Sequence, residues 1–222
     1  MLAPTIDEMA YPELVSLRWL QRQPPSNPAL GAERTPSGAV AAQNDFISVR
    51  PFRPGDARPM YEAARESLEQ LRAWMTWCRA DFSLADAEAF VTQSARAWAH
   101  GEQFSFAIMD MRDQSFLGSV GLNQLNPSHK FANVGYWVRN AAAGRGVATA
   151  AVQQVAAFGL GELGLNRLEF LIPAINVGSQ RVAQKVGAKF EGVLRHRLMI
   201  AGHSHDAAMY SLTRTEMFGT EK

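Results

Sequence analysis

Gly144-Arg145-Gly146 stands directly before Val147-Ala148-Thr149, and residues of these types in this order can hold an anion. Two glycines in three residues let backbone N–H groups come close to a ligand. The start of a helix adds unpaired N–H groups and the positive end of its dipole, and Arg145 adds a charge that can meet a phosphate. The segment has neither the Gly-Lys-Ser/Thr of a Walker loop nor the three-glycine dinucleotide fingerprint. Taken alone it also reads as a simple tight turn. His196, His203, His205 and Asp206 make a second polar group. They lack a metal-ligand motif, so no metal is expected, and His205 is instead a candidate proton relay near an acceptor pocket. Cys78 has no nucleophile motif around it and reads as a buried, inert thiol.

These residues need a scaffold to bring them together, and hydrophobic periodicity outlines it. Phe46 to Pro51 alternates as a strand. Two helices are expected, one from Asp56 to Trp74 and one from Ser83, an N-cap with Asp86 three residues on, to Ala99. Phe104–Met109, Phe116–Leu125 and Ala132–Val138 follow as strands whose short connections imply antiparallel neighbours. The glycine loop then opens a helix with Val147, Ala151, Val155 and Phe158 on one face, running to about Gly161. After it come a strand at Arg167–Pro173, a helix from Ser179 to Val186 closed by Gly187, and a hairpin of Phe190–Ile200 with Asp206–Thr213 around Gly202. This order is α+β rather than a doubly wound parallel sheet.

The 222 residues, 47% of them hydrophobic, suffice for one sizeable core. Residues 45–222 are assigned to one domain, and residues 1–44 to a flexible N-terminal extension, because Gln23 to Asn44 is Pro-, Gly-, Ala- and Ser-rich; Tyr11 to Gln21 allows only a short helix within it. With 22 basic and 21 acidic side chains the net charge is +1, so no global field favours nucleic acid or a membrane surface. A single cysteine excludes an intramolecular disulfide, and no apolar stretch approaches a membrane span, so a cytoplasmic protein is expected. Neither composition nor pattern separates a monomer from a homodimer.

Two further stretches turn the anion cradle into a more specific reading. Asn133-Val134-Gly135-Tyr136-Trp137-Val138-Arg139 precedes the loop, and Asn176-Val177-Gly178-Ser179-Gln180-Arg181-Val182-Ala183-Gln184-Lys185-Val186-Gly187 occupies the next strand-to-helix junction. With the loop, they resemble the GNAT N-acetyltransferase superfamily over roughly Phe46 to Leu212, and within it the branch that acetylates the N-termini of ribosomal proteins at alanine or serine. The resemblance implies a mostly antiparallel twisted sheet, splayed between its fourth and fifth strands and flanked by helices, with acetyl-CoA as cosubstrate in the opening.

Residue by residue, it implies that Trp137, Val138 and Arg139 offer their backbone to pantetheine as an edge strand would, and that the amides of Gly144, Arg145, Gly146, Val147, Ala148 and Thr149 hold the pyrophosphate. Asn176 and Ser179 would face the pantetheine and thiol, and Arg181 and Lys185, four apart on one helix face, would meet the adenosine phosphates. Ser179 would protonate the departing thiolate. Trp74, Trp77 and Tyr136 would line the acceptor entrance, with core packing the alternative for each. The sequence departs from the superfamily at Ala143, usually Gln or Arg, and at Asn133, where a carboxylate often stands; Asn133 accepts no proton at neutral pH, so the general base is open. The expected acceptor is a protein or peptide N-terminus. A small amine and a catalytically silent acyl-CoA-binding module are the alternatives.

Overall fold

The computed structural model describes residues 46–219. The expected extension, with its short helix at Tyr11 to Gln21, lies outside the described residues. Seven strands form one sheet in the order β1-β2-β3-β4-β5-β7-β6, with β1 Ile47–Pro51, β2 Phe104–Asp110, β3 Phe116–Asn126, β4 Phe131–Val138, β5 Arg167–Pro173, β6 Lys189–Ile200 and β7 His203–Thr213. Every neighbouring pair is antiparallel except β4 and β5, which run parallel because helix α4, Val147–Ala157, carries the chain from one to the other. The described fold is thus the expected α+β sheet.

Both faces of the sheet centre are covered, and this explains why β2 is buried at all seven positions. On one face Ala107, Met109, Phe116 and Trp137 pack under helices α1 (Ala57–Glu66), α2 (Leu68–Arg72) and α3 (Leu84–Ala99), which contribute Met60, Ala63, Leu71 and Val91. On the other, Trp98, Phe104, Phe106 and Phe158 form an aromatic cluster at the end of α4. The apolar face expected on α4 is buried at Val147, Ala151, Val155 and Phe158. Helix α3 starts as its sequence indicates: the Ser83 hydroxyl accepts from Asp86 N–H, and the Asp86 carboxylate accepts from Ser83 N–H at 2.8 Å.

Several element boundaries differ from the periodicity: β7 begins at His203 and not at Asp206, and α4 ends at Ala157, where a π-helical turn over Phe158–Glu162 continues it. The single helix expected over Asp56 to Trp74 is two, because the chain turns at Ser67 (φ −105°, ψ 13°). Helix α5 is Val177–Lys185, two residues earlier than expected, since the Asn176 side chain caps it. Helix α6, Arg214–Phe218, was not anticipated, although Thr213 and Glu216 form a capping box visible as Thr-x-x-Glu.

The β4–β5 ladder is short. It joins Phe131 to Arg167, Ala132 to Leu168 and Asn133 to Glu169, and there it stops, while β4 continues to Val138 and β5 to Pro173. The sheet therefore opens into a V between these strands. At its closed end Arg167 lies between Glu169 and Glu191, with Nε 2.8 Å from Glu169 and Nη1 2.6 Å from Glu191. At the mouth of β4, Gly118 of β3 lies so close that a β-carbon there would overlap the Trp137 carbonyl oxygen and come 2.8 Å from Val138 Cα. Only glycine fits that approach.

Candidate functional site

The open arm of the V leads straight to the glycine loop. After Val138 the Arg139 N–H donates to Leu117 O at 2.8 Å, one 3₁₀ turn spans Asn140–Ala142, and the chain then turns through Gly144 (φ +74°) and Gly146 (φ +83°). Both φ values lie where residues with side chains are strained. A β-carbon at either position would meet nothing within 4 Å, so space for a ligand lies directly over the backbone. Among the described residues the amides of Gly144 to Thr149 donate to no backbone carbonyl, and the first bond of α4 is Ala150 N–H to Gly146 O at 3.0 Å. The donors of the helix start are free for an anion. Arg145 is exposed beside them, and its charge adds to the Arg112 hydrogen bonds that hold the Asp110 carboxyl down to about 2.

The two arms of the V are tied by side chains. Asn133, at the last paired position, accepts from Leu171 N–H on β5 at 3.4 Å and donates from Nδ2 to Asn123 Oδ1 on β3 at 2.9 Å. Its amide continues the ladder by one bond where the backbones part, a task that uses the acceptor and donor of an amide together. Tyr136 donates its hydroxyl to the Ser179 carbonyl at 3.0 Å, linking β4 to α5, and burial pushes that phenol up to about 12. The hydroxyl is therefore a neutral strut near pH 7.

Ser179 sits on the first turn of α5. Its N–H is held by Asn176 Oδ1 at 3.0 Å, and its half-buried hydroxyl makes no hydrogen bond among the described residues. Asn176 thus spends its carbonyl oxygen as the cap. Gln180 fixes the helix from both sides, donating to Ala174 O at 2.7 Å and accepting from the Tyr210 hydroxyl at 3.2 Å. Arg181 and Lys185 extend from the exposed face of α5 and form no ion pair among the described residues. Trp137 turns its indole into the core, 5.7 Å from the Trp77 ring and 5.8 Å from Phe116; with the Arg139 N–H on Leu117 O, strand alternation turns the backbone of Trp137 and Arg139 toward β3 and that of Val138 toward the open edge.

A family model described as "Acetyltransferase (GNAT) domain" covers residues 47–189. The chain belongs to the GNAT acetyltransferase family. A Bacillus subtilis protein provisionally named a ribosomal N-acetyltransferase, YdaF, is 28% identical over 178 residues, covering 79% of this chain and 96% of that protein. Among solved structures, a Vibrio cholerae protein provisionally named a ribosomal-protein-serine acetyltransferase is 26% identical with a TM-score of 0.67, covering 76% of this chain and 94% of that one. The microcin C7 self-immunity acetyltransferase MccE, solved with acetyl-CoA and AMP, shares the fold at a TM-score of 0.71 and 24% identity, over 81% of this chain and 97% of that one. Acetyl transfer is the reaction of the GNAT family.

A cleft of ≈ 640 Å³ lies between Glu69 and Arg72 of α2, the segment Met75 to Ala80, and Met199, Ile200 and Gly202 at the β6–β7 turn. Of its two arginines, Arg79 is paired with Asp81 and Asp86, while Arg72 has no ion pair among the described residues. Trp74 and Trp77 flank the lining residues without joining them: Trp74 is half-buried, and Trp77 faces Phe82 (5.3 Å) and Trp137. His205 is half-buried on β7 opposite Leu198 and lies outside that lining. His196 is engaged locally, its N–H on Asp206 and its Nδ1 3.0 Å from Ser204 Oγ. Burial raises the Cys78 thiol above its usual range, which suits an inert core residue at the cleft wall. Among the described residues no three His, Cys, Asp or Glu side chains are placed to hold a metal ion.

Sequence reasoning missed the ties: Asn123, Gln180, Tyr210, and the Glu66–Ser67 corner that contacts the loop after β4. The Gln180–Tyr210 tie spans 30 positions and the Glu66–Ser67 contacts span 73, and the residue types at neither end signal the other.

Proposed function

We propose that this chain transfers the acetyl group of acetyl-CoA to the primary amine at a protein or peptide N-terminus. One observation carries the reading. The β4–β5 ladder ends at Asn133 and Glu169 beside a cradle of free amides, giving an extended thiol-bearing chain an edge to lie on and its pyrophosphate a place to end. The amides of Gly144 to Thr149 and Arg145 take the pyrophosphate, Val138 presents backbone to pantetheine while Trp137 and Arg139 turn theirs to β3, and Arg181 and Lys185 meet the adenosine phosphates. Open space above Gly144 and Gly146 supports this assignment.

The chemistry is direct. The neutral amine attacks the thioester carbonyl carbon, the C–S bond breaks, and alignment of the two substrates supplies much of the rate. A backbone N–H near Val138 polarises the carbonyl. The unengaged Ser179 hydroxyl gives its proton to the departing thiolate and regains one from water, while the amine's proton leaves through water with His205 as relay. Asn133 itself takes no proton, being an amide committed to the V. The acceptor enters by the cleft under the β6–β7 turn, with Trp74 and Trp77 beside its lining; Tyr136, bonded to Ser179 on the face of β4 opposite Trp137, belongs to the donor side and not to this cleft. The Bacillus subtilis and Vibrio cholerae relatives, both provisionally named for ribosomal substrates, favour a polypeptide acceptor.

The test is intact-mass detection of acetylated product from a peptide panel varied at its first residue, run beside a set of small amines with acetyl-CoA as donor. Acetylated peptides confirm the reading. Product from small amines alone moves the acceptor to that class, and coenzyme A binding without thiol release from any acceptor identifies a silent binding module.

A further inference from the structure

The corner between α1 and α2 reaches across to the loop that leads into the glycine cradle. Ser67, 2% exposed, keeps its backbone in both helices: its N–H lies 3.2 Å from Ala63 O, and its carbonyl accepts from Leu71 N–H at 2.9 Å. That leaves its hydroxyl free to accept from Asn140 N–H, at 2.8 Å. Glu66, the residue before it, forms an ion pair with Arg139 Nη2. The hydrogen bond from Arg139, followed by that ion's charge and the Ala141 amide, holds the Glu66 carboxyl below the ordinary glutamate range against the opposing effect of burial. Arg139 also donates from Nη1 to Phe116 O at 3.3 Å, and its Nε is buried without a partner.

Two consecutive residues, Arg139 and Asn140, are therefore anchored by the Glu66 and Ser67 side chains at one helix corner, just before Ala141. They lie between the free edge of β4 and the glycines. A guanidinium with one orphaned nitrogen already tolerates little further loss, since a buried donor without an acceptor is costly. The corner itself is rigid, because Leu71 and Ala64 bury it in the core on either side.

We infer that Glu66 and Ser67 are positioning residues for the donor substrate: they set the angle at which the chain leaves β4 and so aim the Gly144 to Thr149 amides. The inference rests on the donor reading given above. It predicts a selective defect. Loosening the corner misaims the cradle while the acceptor cleft, whose α2 wall is seated by Leu71, keeps its shape.

The experiment measures coenzyme A affinity by calorimetric titration of the full chain, with melting temperature and steady-state kinetics in parallel, for Glu66→Ala, Glu66→Gln, Ser67→Ala and the control Glu62→Ala. Glu62 is exposed one turn earlier on the same helix. The expected result is about 5- to 10-fold weaker binding for Glu66→Ala, about 3-fold for Glu66→Gln, a matching rise in KM for acetyl-CoA and an acceptor KM within about 2-fold of the parent. Glu62→Ala should match the parent. Unchanged coenzyme A affinity in Glu66→Ala at an unchanged melting temperature overturns the inference, as does a parallel rise of both KM values with a lowered melting temperature. A parent chain that fails to bind coenzyme A at all would instead remove the donor reading itself.

Discussion

The two halves of the site are built by different means. On the proposed donor side the recognising groups are backbone, and each turn of it is held: Arg139 on Leu117, Asn140 on Ser67, Ser179 on Asn176, Tyr136 on Ser179. On the proposed acceptor side, side chains from a five-residue helix, an irregular segment and the end of a hairpin surround a cleft, and its turn runs through Ala201 (φ +49°) and Gly202 (φ +80°). A fixed ligand rewards a frame that is fixed. A site whose walls are loop and hairpin side chains can change its partner without disturbing the sheet.

The sharpest way to break this contrast is to fill the cradle. Gly146→Val places branched carbons in the space over the amides and forces a β-branched residue to φ near +83°; coenzyme A affinity should fall by about 100-fold or more, read by titration, with the fold intact by circular dichroism. Next in size is Ser179→Ala, which should lower turnover about 10-fold with both KM values near the parent's, because the lost proton donor acts only as the C–S bond breaks. Full turnover in a chemistry-limited thiol-release assay would remove Ser179 from the mechanism. On the other half, Arg72→Ala should raise the acceptor KM by about 3-fold and leave the acetyl-CoA KM alone, since exposed charges contribute little individually. If it moved the donor KM instead, the two halves would not be separable.

The smallest effect probes the closed end of the V. Hydrogen bonds from Arg167, then Ser211, hold Glu191 at about 2, below the ordinary glutamate value of 4.5. A carboxylate with a depressed folded-state pKa contributes stability that is complete above 4.5 and is lost as pH falls toward 2. Melting temperature should therefore fall less steeply between pH 4.5 and 2 in Glu191→Gln than in the parent. Equal slopes would show that the pair is screened by solvent.

Much of the donor side was legible because it is local. Gly144 to Thr149, the strand at Ala132 to Val138 and the helix near Ser179 are contiguous stretches in which residue type and spacing report directly on backbone shape. Even there, the cap that Asn176 places on α5 was missed, although Asn is a preferred N-cap residue. What joins segments was not legible. Glu66 meets Arg139 and Ser67 meets Asn140 across 73 positions, and Asn133 meets Leu171 across 38. The break at Ser67 was hidden for a related reason: the helical period continues through it, and the chain turns there to serve a contact that only the folded sheet supplies. The acceptor cleft was the least legible, because its lining comes from residues 69–80 and 199–202, and Trp74 and Trp77, the conspicuous residues nearby, stand beside its wall.

The three-residue ladder between β4 and β5 has a consequence for motion. Past Asn133 and Glu169 the facing N–H groups of the two strands have only the Asn133 amide between them, whereas their outer edges are bonded to β3 and β7 along their full length. In deuterated solvent the amides on the inner edges should exchange first, while those of β2, enclosed on both faces, exchange last. The interior of this protein thus carries a line of early opening through the middle of its own sheet, at the place where a sheet is ordinarily most protected.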